Sequence, residues 1–237
     1  MSSRDNILAA ISNNQPLFSE LPELPAGESA SPIVGVPAED IAGSANEDIA
    51  MQQEELTHRF TKLLGAIGGS AFVVRDFGRI AQILKEQYPD AQRVVTNCPE
   101  LVGKHFGAAP ELNQEYADPH TLENIDISVL RAHFGVAENG ACWITEDRMI
   151  HRVVPFICQN LVLVIEKKDI VADMHGAYAR IAEYEKSLGG ASYGFATFIA
   201  GPSKTADIEQ SLVLGAHGPV GMTVFLLDEG ISDEGFF

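Results

Sequence analysis

The chain has 237 residues, 46% of them hydrophobic, and carries 33 acidic against 16 basic side chains for a net charge of −17. That surplus excludes nucleic acid and anionic membrane as expected partners, because both recruit basic surfaces, while the apolar fraction suffices for one large α/β domain or one domain with an appendage. No apolar run approaches the length of a membrane span, residues 1–11 lack the apolar stretch of a signal peptide, and Cys98, Cys142 and Cys158 form no Cys-x-x-Cys pair. A cytoplasmic chain with no disulfide framework, metal site or iron–sulfur cluster of its own is therefore expected.

Ile7, Leu8 and Ile11 have helical spacing, so residues 4–13 are expected to form a short helix. Residues 16–46 are rich in Pro, Ser, Gly and Glu, a composition that suits an extended or disordered arm. Residues 1–48 hold eight acidic side chains and one basic one, Arg4. The expected division is a short helix and flexible acidic arm over 1–48 and an α/β domain over 49–237. Within the domain, Met51, Leu56, Phe60, Leu63 and Leu64 mark an amphipathic helix that ends at Gly68-Gly69.

Alternation follows: a strand over 71–74, a helix over 78–87, a strand over 93–96 and a turn at Asn97-Cys98-Pro99. Further strands are expected at 127–132, 141–145, 161–166, 195–199 and 223–227. A helix over about 169–188 carries Ile170, Met174, Tyr178, Ile181 and Tyr184 on one face. This β–α order predicts a mostly parallel sheet flanked by helices, with ligands at the carboxyl ends of its strands.

Two constellations stand out. In the first, Val136-Ala137-Glu138-Asn139-Gly140-Ala141 places an acid, an amide and a glycine between two apolar segments. Two readings are open: a tight Asn-Gly turn with a solvated Glu138, or a turn that lifts Glu138 into a cleft as base, nucleophile or hydrogen-bond acceptor. Nearby lie Arg131, His133, Arg148, His151 and Arg152, a local cationic excess suited to a carboxylate or phosphate, although ion pairs with the acidic arm account for it too. Trp143 reads most simply as a core residue, with cofactor stacking as the alternative.

The second constellation runs from Gly201 to Pro219. Gly201-Pro202 breaks the apolar run 195–199, and Ser203 or Thr205 can cap a short helix whose N-terminus, with Lys204 beside it, suits an anion. Asp207 and Glu209 satisfy the same dipole without a ligand, and Gly215 reads as the helix C-cap. His217, set between Gly215 and Gly218-Pro219, is a candidate base or ligand, or a histidine that only hydrogen-bonds its loop. No P-loop or Rossmann glycine pattern is present.

Gly-Pro-Ser-Lys-Thr-Ala-Asp-Ile-Glu (201–209), Gly-Ala-His-Gly-Pro (215–219) and Phe-Gly-Val-Ala-Glu (134–138) resemble the lactate utilisation protein C (LutC/YkgG) family of LUD-domain proteins, over roughly residues 50–228. Where that family usually reads Ala-Glu-Thr/Ser-Gly-Thr, this chain has Ala137-Glu138-Asn139-Gly140-Ala141, so two hydroxyls are absent. The resemblance implies a sheet of the NagB/RpiA/CoA-transferase type. It also implies a non-redox part in oxidation of L-lactate to pyruvate, alongside partner subunits that carry the iron–sulfur clusters. Glu138-Asn139-Gly140 is also similar to a segment of class I CoA transferases in which the glutamate forms the acyl-CoA link.

The expected site therefore comprises Glu138 and His217 as catalytic candidates, with Asn139, Gly140, Arg131, Gly201, Ser203, Lys204, Thr205 and Gly218 around a small anionic ligand. The alternatives are a free-standing enzyme acting through Glu138 on a small carboxylate or acyl-CoA, and a non-catalytic partner-binding module.

Overall fold

The computed structural model describes Arg4 and residues 44–102, 111–112, 119–206 and 212–228. The chain divides into two units between Gly43 and Ser44, and the elements below belong to the second. The expected short helix (Arg4 apart) and the acidic arm up to residue 43 lie outside the described residues.

Helix α1 (Ser44–Ala66) buries Phe60 and Leu64 completely, with Leu56 packed beside them, so the stripe is spaced four residues apart, as one helix face requires. Met51 remains 64% exposed and contributes nothing to the core. The helix stops where expected: Gly68 takes φ +88 and Gly69 N–H donates to the Leu64 carbonyl at 2.9 Å.

Strand β1 (Ser70–Val74), helix α2 (Phe77–Gln87) and strand β2 (Val94–Thr96) follow, with Asp76 capping α2 by accepting from Arg79 N–H at 2.9 Å. Strands β3 (Glu111–Leu112), β4 (Ile127–Arg131), β7 (Asn160–Glu166) and β12 (Gly221–Leu227) complete a six-stranded sheet in the order β1-β12-β7-β4-β2-β3, every neighbouring pair parallel. Both faces are covered. In β7, Leu161, Leu163 and Ile165 join the core beneath α1, whereas Val162 and Val164 join the core beneath α2. Such strands read as continuous apolar runs rather than as alternation, and each fully buried Leu, Val or Phe contributes about 2 kcal/mol.

Strand β5 (Phe134–Val136), strand β6 (Ala141–Thr145), strand β8 (Ile170–Val171) and strand β9 (Ala196–Ile199) form a second, mixed sheet in the order β8-β5-β6-β9. One of its faces adds Cys142 and Ile144 to the α1 core. The other carries Phe134, Val136 and Trp143 against Ala177, Ile181 and Tyr184 of a later helix. Helix α3 (Val154–Ile157) is a single turn before β7. That later helix, α4 (Met174–Ser187), starts later than the periodicity suggests, because Ile170 and Val171 pair with β5 and Asp173 caps the helix through Gly176 N–H at 2.8 Å. Tyr178, placed by spacing on one face with Met174, Ile181 and Tyr184, is 61% exposed.

Two expectations are corrected. The 195–199 segment is not a strand of the parallel sheet: β9 is half-buried and pairs antiparallel with β6, so Gly201 does not lie at a carboxyl end of that sheet. The segment after it is not a capped helix either. Strand β10 (Lys204–Ala206) pairs antiparallel with strand β11 (Leu212–Leu214), Thr205 opposite Val213. The β-forming run Leu212-Val213-Leu214 supplies a partner strand, and that pairing outweighs the local capping signal at Ser203 and Thr205. Gly215 is accordingly a turn residue, with φ +74 and its N–H donating to the Ser203 carbonyl at 2.9 Å.

The Asn139-Gly140 turn joins β5 to β6 as a hairpin. Gly140 has φ +69, and a Cβ there would lie 3.0 Å from the Leu64 backbone nitrogen and 3.1 Å from its Cα. Left-handed backbone alone costs an L-residue about 1–2 kcal/mol, and α1 would have to move as well. Gly140→Ala is expected to destabilise the protein by about 2 kcal/mol or more in urea unfolding; an unchanged midpoint would show that the turn is not pinned to α1.

Candidate functional site

The second sheet meets the parallel sheet where β4 and β7 end, and there the chain encloses a cavity of about 330 Å³, at the small end of the range for small-molecule sites. Its charged and polar lining is Arg131, His133, Arg148, Glu166, Asp169, Arg180 and Tyr184, with Phe134 and Trp143 behind them. Arg131 is the last residue of β4 and Glu166 the last of β7, so both leave the apolar interior at the first position where a charge can be solvated. Arg180 and Tyr184, one turn apart, project from α4.

The three guanidiniums are not equivalent. Arg131 is paired with Glu100, lies 3.9 Å from Glu166 and stacks 4.8 Å above the Phe77 ring. Arg180 is paired with Asp169 and lies 5.3 Å over the Phe134 ring. Arg148 is half-buried and has no ion pair among the described residues; its Nη1 donates to the Ala132 carbonyl at 3.0 Å. Burial pushes its pKa down, with repulsion from Arg131 adding to the effect against attraction from Asp147, Tyr184 and Asp169. A half-buried guanidinium with no ion pair among the described residues is the least balanced of the three.

The backbone that delivers it is tied down. Asn97, just after β2, accepts from Arg131 N–H at 2.8 Å and donates through Nδ2 to the Arg148 carbonyl at 2.9 Å, fixing both arginine-bearing segments with one side chain. Two residues beyond Arg148, Ile150 takes φ +67, a conformation that a β-branched residue adopts only when its surroundings impose it.

His133 sits between Trp143 at 4.7 Å and Tyr184 at 4.8 Å, its Nε2 2.6 Å from the buried Thr145 Oγ1. Burial, with repulsion from Arg148 and Arg180 outweighing attraction from Asp147 and Asp169, lowers its pKa from 6.5 to about 4. The ring is neutral near pH 7. Formally, the lining then holds three cations against two carboxylates.

Of the ten residues placed in the expected site from sequence, only Arg131 lines this cavity. Glu138 is exposed rather than lifted into a cleft, and its Oε2 accepts from Met174 N–H at 2.9 Å, so that it caps α4 together with Asp173. Asn139 Oδ1 accepts from Ala141 N–H at 3.0 Å within its own turn. Gly201 and Pro202 are buried and Gly201 abuts Ile67 at the end of α1; Ser203 and Thr205 are half-buried, while Lys204 and His217 are exposed. Gly218 lies against Ser203. The structure brings residues 201–205 and 217–218 together as a loop and hairpin, apart from the cavity lining. Within the noted cationic excess, Arg131, His133 and Arg148 converge on the cavity, whereas Arg152 pairs with Glu146. Arg180, Tyr184 and Asn97 carried no local signal of a site.

Among the described residues no group of three His, Cys, Asp or Glu side chains is placed to hold a metal ion, and no helix is long and apolar enough to cross a membrane. All three cysteines are buried, with their thiol pKa values pushed up by burial, to about 11 for Cys98 and about 12 for Cys158.

Comparison with known proteins places these elements in a family. Residues 57–227, a span that contains every cavity residue, match the sequence model of the LUD domain. The chain belongs to the LUD-domain family. Among curated proteins it is 26% identical over 213 residues to Lactate utilization protein C of Geobacillus kaustophilus (strain HTA426), covering 88% of this chain and 82% of that one. It is 33% identical over 110 residues to Lactate utilization protein C of Bacillus pumilus (strain SAFR-032), covering 45% and 44%. A DUF162 family crystal structure from Deinococcus radiodurans superposes with a TM-score of 0.57 at 15% identity, covering 74% of this LUD-domain chain and 98% of the other, which speaks to the shared fold alone.

The neutral state of His133 sets a pH dependence. Its folded pKa of about 4 lies below the unfolded value of 6.5, so between these values the unfolded chain binds more protons, and stability falls as pH drops from about 6.5 and levels off below about 4. The loss expected at this half-buried site is about 2 kcal/mol. Urea unfolding at pH 7 and pH 4.5, compared with the same pair of measurements on His133→Gln, checks it: the variant is expected to lose that part of the dependence.

Proposed function

We propose that this LUD-domain chain is a non-redox component of an L-lactate utilisation system in the cytoplasm, acting with iron–sulfur partner proteins in the oxidation of L-lactate to pyruvate and binding a small anionic metabolite in the arginine-lined cavity. The pathway rests on the relatives named Lactate utilization protein C, which match 88% of this chain in one case. The binding role rests on one observation: Arg148 lies half-buried in the cavity lining with no ion-pair partner among the described residues. A desolvated guanidinium of this kind gains most from an anion delivered by a ligand. In this reading Glu138 anchors the first turn of α4, and through it Arg180 and Tyr184, in place of acting as a nucleophile. The loop at 201–205 and 217–218, with its exposed Lys204 and His217, is assigned to contact with the partner proteins.

Residues kept for a ligand are replaced at little cost in stability. Arg148→Met is therefore expected to unfold within about 1 kcal/mol of wild type. It is also expected to lower L-lactate-dependent electron transfer, measured with the purified iron–sulfur partners, by tenfold or more. Growth on L-lactate that survives deletion of the chain unchanged would sink the pathway assignment. A fully active Arg148→Met would sink the cavity.

A further inference from the structure

The charges at the cavity match in number but not in place. Arg131, Arg148 and Arg180 stand against Glu100, Glu166 and Asp169. Two close pairs, Arg131 with Glu100 and Arg180 with Asp169, account for four of the six. One cation and one acid remain. Arg148 has no ion pair among the described residues, and Asp147, which attracts it, is exposed and forms none with it. Among the described residues the Glu166 carboxylate comes no closer than 3.9 Å to a cation, and that cation is the Arg131 guanidinium already held by Glu100. Arg148 and Glu166 are both half-buried, and both line the cavity.

A ligand with a single charge serves only one of these two groups. An anion on Arg148 leaves Glu166 unmatched and adds repulsion to it, and a cation at Glu166 does the same to Arg148. A ligand that carries both charges satisfies both groups and leaves the balance of the cavity unchanged. The ammonium group brings three donors and no acceptor, which suits the one lining acid without a close cation.

Given the anion-holding role proposed above for Arg148, on which this rests, we infer that the cavity also binds small zwitterionic amino acids, with Arg148 holding the carboxylate and Glu166 the ammonium group. Because the carboxylate uses the same guanidinium, such an amino acid competes with the anionic metabolite and makes the site sensitive to amino acid supply. At about 330 Å³ the cavity has the room of roughly ten waters at about 30 Å³ each, enough for a small amino acid. Phe134 and Trp143 give its wall an apolar part for a short aliphatic side chain. Charged groups paired on both sides discriminate strongly against analogues that lack one of them, since the protein group is then left unpaired.

Trp143 is the only tryptophan of the chain and lines the cavity, so its emission reports occupancy there. The full-length protein is titrated at pH 7, by this emission and by calorimetry, with L-alanine, with propionate, which lacks the ammonium group, with isopropylamine, which has a methyl in place of the carboxylate, and with L-lactate. L-Alanine is expected to bind at least tenfold more tightly than propionate or isopropylamine and to weaken L-lactate binding competitively. Glu166→Gln should lose at least tenfold in affinity for L-alanine while holding L-lactate within threefold of wild type or more tightly, which also shows that the variant is folded. Arg148→Met should lose at least tenfold for both. L-Lactate binding without L-alanine binding would overturn the inference and leave the anion site standing, whereas failure of both to bind the wild-type protein would overturn the two together. L-Alanine bound no more tightly than propionate, or undiminished in Glu166→Gln, would overturn the role of Glu166. L-Alanine that binds without displacing L-lactate would lie outside the cavity and overturn the inference as well.

Discussion

A parallel sheet buried on both faces has one place to put a charge, the ends of its strands. Within β7 every position between Leu161 and Ile165 is claimed by one of two apolar cores, the side beneath α1 or the side beneath α2. A carboxylate or guanidinium in the middle of such a strand would lie in low dielectric on either face. Arg131 and Glu166 appear at the first positions where β4 and β7 leave that interior. The location of the cavity thus follows from the burial of the sheet, in keeping with the tendency of open α/β sheets to bind ligands beyond the carboxyl ends of their strands.

The second sheet turns that edge into an enclosure. One face of the β5–β6 hairpin completes the core beneath α1, and the other presents Phe134 and Trp143 to α4. Because the hairpin turn is pressed against Leu64 through Gly140, and Glu138 from the same turn accepts from Met174 N–H at 2.9 Å, the position of α4 is coupled to that of α1. Arg180 and Tyr184 reach the cavity as a consequence. The residues that first invite a catalytic reading, Glu138 and Asn139, serve in this arrangement to hold the wall that bears the chemistry.

That chemistry rests on an imbalance. Arg131 and Arg180 are paired with acids and lie over aromatic rings, and Arg148 has no ion-pair partner among the described residues. Asn97 holds the Arg148 backbone and the strained Ile150 follows it, so the guanidinium is kept in place by groups that do nothing to balance its charge. Pre-organisation of a charge without its counterion is costly to the fold and favourable for binding.

The sequence alone determined the parallel α/β character, because five of the six strands of the large sheet are apolar runs bounded by turn residues, and it determined the two glycine-marked ends at Gly68 and Gly140, because only glycine enters left-handed backbone cheaply. It also carried the cationic excess of Arg131, His133 and Arg148, and the blocks by which the LUD-domain family is identified. It misread the segment after Gly201, since a Ser/Thr cap followed by acids is a local signal and the pairing of Thr205 with Val213 is not. It was silent on Arg180, which reads as an ordinary helix-surface position, and on any site role for Tyr184, which reads as part of the apolar face of its helix. Only tertiary structure decided which cavity arginine has no ion pair among the described residues and which histidine loses its charge. Both depend on burial, and in part on partners distant in sequence, such as Glu100 for Arg131, at a separation of 31, which no short window of sequence contains.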